Sequence, residues 1–353
     1  MAESYQTEEA KRAQERLRQL QKELPPFIVS FFRGINDTTA PKTREAYAID
    51  LKIFFTYLIT ESSKLEGRAI TDLTLHDLAY VTSDDIEGYM EYLSLYAKER
   101  NGTMVDIQNS SRGKSRKLAS VRTMFSYYFK KGVIESNPSD RVDFPKVNKK
   151  AITRLEADEV ANFLDEVERG ENLPARSQKF HEITVKRDLA ITTLLLGTGM
   201  RISECVGIDL TDIDFNANYI RITRKGGDEQ FIYFGKEVET ALKDYIKQRD
   251  EIEAREGYEN ALFLSLQSKR ITIRAVQNLV KKYAKSVVPL KKISPHKLRS
   301  TYATNLYMET GDIYIVADTL GHSDINTTAK HYAKIADDRR RQAAKHIILR
   351  MDD

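Results

Sequence analysis

Apolar residues recur at helical spacing along most of this chain. From Thr43 the run TREAYAIDLKIFFTYL sets Tyr47, Leu51, Phe54, Phe55 and Leu58 on one helical face. Ahead of it, residues 1–24 read as a polar helix ended by Pro25-Pro26. Residues 61–82 are mixed and loop-like. A helix is expected from Ser83-Asp84-Asp85, capped by Ser83 or Asp84, with Ile86, Met90 and Leu93 buried. Residues 101–112 are polar and read as a loop. A basic helix follows, with Leu118, Val121, Phe125 and Phe129 inward and Lys114, Arg116, Lys117 and Arg122 on its wet faces. The cluster Phe125-Ser-Tyr-Tyr-Phe129 reads as core rather than as a platform for bases. Asn137-Pro138 and Pro145 break the pattern, and 142–150 reads as an extended basic linker and domain boundary.

The second half opens at a helix with acids in its first turn, Glu156-Ala-Asp158-Glu159, as the helix dipole favours. An apolar helix over 186–196 stops at Gly197-Thr-Gly199, and another begins near Arg201. The period then changes to two. Tyr219–Thr223 and Gln230–Phe234 alternate around Lys225-Gly-Gly-Asp228, which predicts a β-hairpin. Helices are expected at 236–252 and 272–286. Ser294-Pro295 starts the next, with a capping hydroxyl before a first-position proline, and Gly311 ends it. Helices near 313–320, 324–331 and 335–349 complete the pattern. The expected fold is mainly α with a small β-sheet.

A length of 353 residues fits two domains. The lone cysteine, Cys205, suits a reducing interior. No run approaches the roughly 18–20 apolar residues a membrane span needs. The polar N-terminus has no apolar signal core, so a cytoplasmic protein is expected. The net charge of +4 hides segregation: residues 111–150 hold 11 Lys/Arg against 3 acids, and residues 269–300 hold 10 against none. Two basic blocks on a near-neutral chain point to surfaces that face a polyanion.

Three of the six histidines, His296, His322 and His331, fall within residues 296–331. No His-x-x-x-His pattern accompanies them, so a metal site is disfavoured. Gly197-Thr-Gly-Met-Arg201 lacks the lysine and hydroxyl ending of a phosphate-binding loop. Phosphodiester chemistry suits the residues better. Arginines stabilise charge on non-bridging oxygens, a lysine or histidine protonates the leaving oxygen, and a tyrosine can be the nucleophile. Composition and spacing permit this arrangement without selecting it.

Four segments carry a resemblance. LLLGTGMRISE (194–204), TRKGGDEQFIYF (223–234), HKLRSTYATNL (296–306) and LGHSDINTTAKHY (320–332) resemble, in order, the signatures of the tyrosine recombinase/phage integrase family. The resemblance spans 185–335, and 43–146 is similar to the family's helical core-binding domain. It implies an N-terminal helical extension (1–42), a SAM-like core-binding domain (43–146) and a mixed α/β catalytic domain (147–353), closing on DNA as a C-shaped clamp. It implies that Arg201 and Arg299 clamp the scissile phosphate. Lys225 would protonate the leaving 5′ oxygen, with Arg224 and Lys236 as rivals for that role. His296 would be the general acid/base, His322 a phosphate ligand, Tyr332 the nucleophile and Glu204 an acidic support. Ser300 and Asn305 depart from histidines frequent in the family. No cofactor or metal is implied. Partners would be double-stranded DNA with inverted repeats, three further copies on two DNA sites, and a DNA translocase or accessory protein. The final helix would dock on a neighbouring protomer or on its own domain. DNA contacts are expected from Lys114, Arg116, Lys117, Arg122, Lys291 and Lys292, with steeply salt-dependent binding. Overall likeness is greatest to the single-recombinase Xer (XerS-like) branch. An integrase of a mobile element, a type IB topoisomerase and a non-catalytic DNA-binding protein remain open.

Overall fold

The computed structural model describes residues 5–62, 65–100, 102–147, 153–224 and 229–321. The chain divides into two units, Met1–Lys149 and Lys150–Asp353. Both are mainly helical, with small antiparallel sheets. The helices expected near 324–331 and 335–349 lie outside the described residues, as do Lys225, His322 and Tyr332.

The first unit contains α1 (Tyr5–Gln21), α2 (Ile28–Gly34), α3 (Pro41–Glu61), α4 (Leu75–Ala79), α5 (Ser83–Tyr92) and α6 (Ser111–Lys130). The α3 stripe is as expected: Leu51, Phe54, Phe55 and Leu58 are buried, and Tyr47 packs beside them. Edge-on contacts join Phe54 to Tyr89 of α5 and to Phe125 of α6. The segment expected as an N-terminal extension packs on this core in its described part, residues 5–42. Leu17, Leu24, Ile28, Phe31 and Phe32 enter the same core, and the Tyr128 hydroxyl donates to the Phe27 carbonyl at 2.7 Å.

Local expectations change in several places. Helix α5 is capped by Thr82, whose hydroxyl accepts from the Asp85 N–H while the Asp85 carboxylate accepts from Thr82, rather than by Ser83 or Asp84. The stretch 101–112, read as a loop, holds β2 (Thr103–Ile107), which pairs with β1 (Tyr96–Arg100) just before it around Gly102, at φ 76°. The segment before α5 holds α4 and a single 3₁₀ turn. On α6, Phe129 is 46% exposed and is not core, while Tyr128 takes the buried position. Lys117 is only 6% exposed and is not on a wet face.

The second unit runs α7 (Ala157–Arg169), α8 (Ala175–Thr198), α9 (Ile202–Gly207), β3 (Ile213–Asp214), β4 (Tyr219–Thr223), β5 (Glu229–Tyr233), α10 (Lys236–Asp250), α11 (Ile273–Val287), α12 (Pro295–Thr310) and α13 (Ile313–Leu320). Helix α8 is central: Ala190, Ile191, Leu194 and Leu195 are buried, and α7, α10 and α12 pack on it. It begins eleven residues earlier than the apolar stretch alone predicts. The predicted hairpin is present as β4–β5, with buried Ile220 opposite buried Ile232, and β3 adds a short third strand beside β4. Pro295 opens α12 as expected, although the Ser294 hydroxyl makes no capping bond.

Candidate active site

The site grows from the end of α8. Gly199 closes that helix in the left-handed conformation, φ 63°, its N–H donating to the Leu195 carbonyl at 3.1 Å. The Tyr302 ring of α12 fills the space where a Cβ at 199 would stand. Glycine is therefore required twice, by backbone and by packing. Two residues on, Arg201 is the N-cap of α9. Its backbone N–H donates to Glu204 Oε2 at 2.6 Å, and its Nη1 to Oε1 at 2.8 Å. One buried carboxylate thus fixes both the main chain and the side chain of Arg201. The Arg201 side chain stays 41% exposed, and its Nη2 donates to the Gly321 carbonyl at 3.1 Å.

Arg299 arrives from the second turn of α12 and is buried. Its Nη1 donates to the Gly199 carbonyl and its Nη2 to the Leu320 carbonyl, each at 2.6 Å. The two arginines expected to share one phosphate therefore end on adjacent carbonyls at the C-terminus of α13. His296, one turn before Arg299, is exposed. Helical spacing groups the two, but burial separates them.

A third guanidinium joins the group. Arg224, at the end of β4, lies against Gly321, and its Nε sits 3.8 Å from Glu204 Oε1. The sequence marks it only as a rival of Lys225; its partners lie 20 and 97 positions away, which a local motif does not reveal. Burial works against its charge, and so does nearby Arg201, while Glu204 and Asp318 favour it. The neighbouring thiol of Cys205 is fully buried, which pushes its pKa up and makes it a poor nucleophile.

The cations expected on DNA fall into two groups. Arg116 is half exposed and pairs with buried Asp50. Lys114 donates to Ser94 Oγ at 2.5 Å, and Lys292 is exposed. The other three hold structure. Lys117 donates to Asn109 Oδ1 at 2.9 Å and faces Asp50. Arg122 donates to the Ser139 and Val142 carbonyls and lies over the Phe144 ring. Lys291 ties the start of α7 through Glu159 Oε2 at 2.5 Å and the Arg154 carbonyl at 3.2 Å.

Guanidiniums held at helix ends around one carboxylate suit an anionic phosphodiester, because arginine stays protonated and offers paired donors. Residues 153–339 match the model of the phage integrase family. The chain is 33% identical over 333 residues to tyrosine recombinase XerC of Caldanaerobacter subterraneus subsp. tengcongensis, covering 90% of this chain and 86% of that protein. Its fold is similar to the XerH site-specific recombinase bound to difH substrate, with TM-score 0.61, 19% identity, and 94% and 84% of the two chains covered. It is also similar to the Tn1549 transposon integrase in complex with a circular intermediate DNA, with TM-score 0.60, 22% identity, and 90% and 98% covered. The chain belongs to the phage integrase family. Within it, this protein is a tyrosine-type site-specific DNA recombinase, an enzyme that cleaves and rejoins DNA strands.

Proposed function

We propose that the enzyme resolves chromosome dimers as a single-recombinase Xer protein at a dif-like site, through a 3′-phosphotyrosyl intermediate and a Holliday junction. The observation that carries its chemistry is the meeting of Arg201 and Arg299 at the carbonyls of Gly321 and Leu320, directly before His322. In it, Arg201 and Arg299 hold the non-bridging oxygens, with Glu204 orienting Arg201. The Tyr332 oxygen attacks phosphorus as the bond to the 5′ oxygen breaks. The tyrosine proton passes to His296, and Lys225 protonates the departing 5′ oxygen. His322 donates a hydrogen bond to a phosphate oxygen. The phosphotyrosyl bond conserves the energy of the broken bond, so rejoining needs no ATP. Four protomers on two inverted-repeat sites carry out the exchange in the cytoplasm, with a DNA translocase or accessory protein as a further partner. Lys114, Arg116 and Lys292 meet phosphates, while Lys117, Arg122 and Lys291 serve DNA by supporting the surfaces around them. The XerC name of the relative that aligns over 90% of this chain supports the Xer reading.

The test is to map covalent protein–DNA adducts across the host genome, wild type against Tyr332→Phe. Adducts at one site near the replication terminus, lost in the variant, are expected. Adducts at the ends of a mobile element would make the protein an integrase, and scattered ones would favour a topoisomerase. Adducts that persist in Tyr332→Phe would overturn the assigned nucleophile.

A further inference from the structure

Glu204 serves more cations than one carboxylate can neutralise. Its Oε1 faces Arg201 Nη1 at 2.8 Å and Arg224 Nε at 3.8 Å. The longer distance exceeds a hydrogen bond, so Arg224 meets Glu204 as a charge rather than as a donor. Among the described residues, Arg224 Nε and Nη2 are buried and have no hydrogen-bond partner. Its side chain is 15% exposed, whereas that of Arg201 is 41% exposed. Gly321, at φ 60°, leaves the room that the Arg224 guanidinium occupies, and a Cβ there would coincide with it. A buried cation with unspent donors is costly to keep. Its position beside the carboxylate that holds Arg201 gives that cost a use.

We infer that Arg224 is a positioning residue that offsets the charge of Glu204, so that the positive charge of Arg201 remains directed at the scissile phosphate. Without Arg224, Glu204 would both orient Arg201 and neutralise it. With Arg224, the carboxylate keeps its orienting bonds while its charge is balanced from the buried side. The inference rests on the reading that Arg201 meets the phosphate.

The test uses the full-length protein and a nicked duplex carrying the sequence recovered in the genomic adducts. Cleavage rate and DNA affinity are measured for Arg224→Gln, Arg224→Lys, Glu204→Gln and the double variant Arg224→Gln/Glu204→Gln, with Arg201→Ala as the reference. Arg224→Gln should slow cleavage by about 10- to 100-fold, in the range set by loss of charge stabilisation at a reacting phosphate, with affinity changed less than about threefold. Arg224→Lys, which keeps the charge and loses the fork, should recover most of the rate. The double variant should lose less than the product of the two single losses, because no carboxylate then needs offsetting, although glutamine keeps only one of the two acceptors that hold Arg201. Strictly multiplicative losses in the double variant would overturn the inference, and so would a lysine variant as slow as the glutamine one. Early thermal unfolding of both Arg224 variants would overturn it in favour of a purely structural arginine. If Arg201→Ala cleaves normally, the phosphate reading itself has failed. If Arg201→Ala is inactive and Arg224→Gln is normal, only the present inference has failed.

Discussion

Replacing Gly199 with alanine tests how the end of α8 builds the site. The residue sits at φ 63°, where a Cβ collides with the backbone, at a cost of roughly 1–2 kcal/mol. The new methyl would also stand where the Tyr302 ring now packs. Overpacking of this kind adds about 1–3 kcal/mol. The sum is a loss of about 2–5 kcal/mol in unfolding free energy, read by urea denaturation. Part of it should be recoverable. In a cycle with Tyr302→Ala the collision disappears while the backbone strain remains, giving a coupling of about 1–3 kcal/mol. Activity should fall further than stability, because the Gly199 carbonyl holds Arg299 at 2.6 Å and Arg201 follows two residues later. Under conditions where the variant remains fully folded, cleavage should still be impaired. A Gly199→Ala protein as stable as wild type, or one whose loss is independent of residue 302, would refute the reasoning.

Two further outcomes follow from packing and charge. Phe125→Ala should cost about 3–5 kcal/mol, whereas Phe129→Ala, in the same aromatic cluster, should cost under about 0.5 kcal/mol because its ring is exposed; equal costs in denaturant would contradict the assignment. The hydrogen bond from Lys291 holds the Glu159 pKa below its usual value, outweighing the opposing effect of burial. A lowered carboxylate pKa stabilises the fold above the unfolded value, near 4.5, and that stabilisation is lost as pH falls through the folded one. Lys291→Ala should therefore cost about 0.5–1 kcal/mol at pH 7, a screened surface value, and the difference from wild type should shrink in acid. A difference that is constant with pH would remove the ion pair from the account.

The parts of the fold that were legible from sequence have one buried face and a period to match. The α3 stripe and the β4–β5 alternation are of this kind, while the glycine stops at 199 and 311 were legible from residue type, as left-handed helix ends. The β1–β2 hairpin was not legible, because its described positions are mostly exposed and no apolar alternation marks a core face. Its Asn101-Gly102 pair was the one available turn signal. Lys117 misled for the opposite reason: a charged side chain is counted as wet until Asn109 and Asp50, distant or off-helix, supply its partners. Asp50 shows the price of that arrangement, since burial pushes its pKa up even with Arg116 and Lys117 beside it. In the candidate site, Arg201, Glu204 and Arg299 could be named from motifs. Arg224 could not be assigned its place, because its neighbours come from two distant segments, 201–204 and 318–321.

The Tyr128 hydroxyl reaches back to the Phe27 carbonyl across 101 residues of chain, and the rings of Phe31 and Tyr127 meet edge-on beside it. During synthesis, at about 5–20 residues per second, α2 leaves the ribosome some 5–20 s before α6 is made. For that interval Phe27, Phe31 and Phe32 lack the helix they finally pack against. Helix α2 thus presents an aromatic surface that stays uncovered on that side until α6 is made and packs on it.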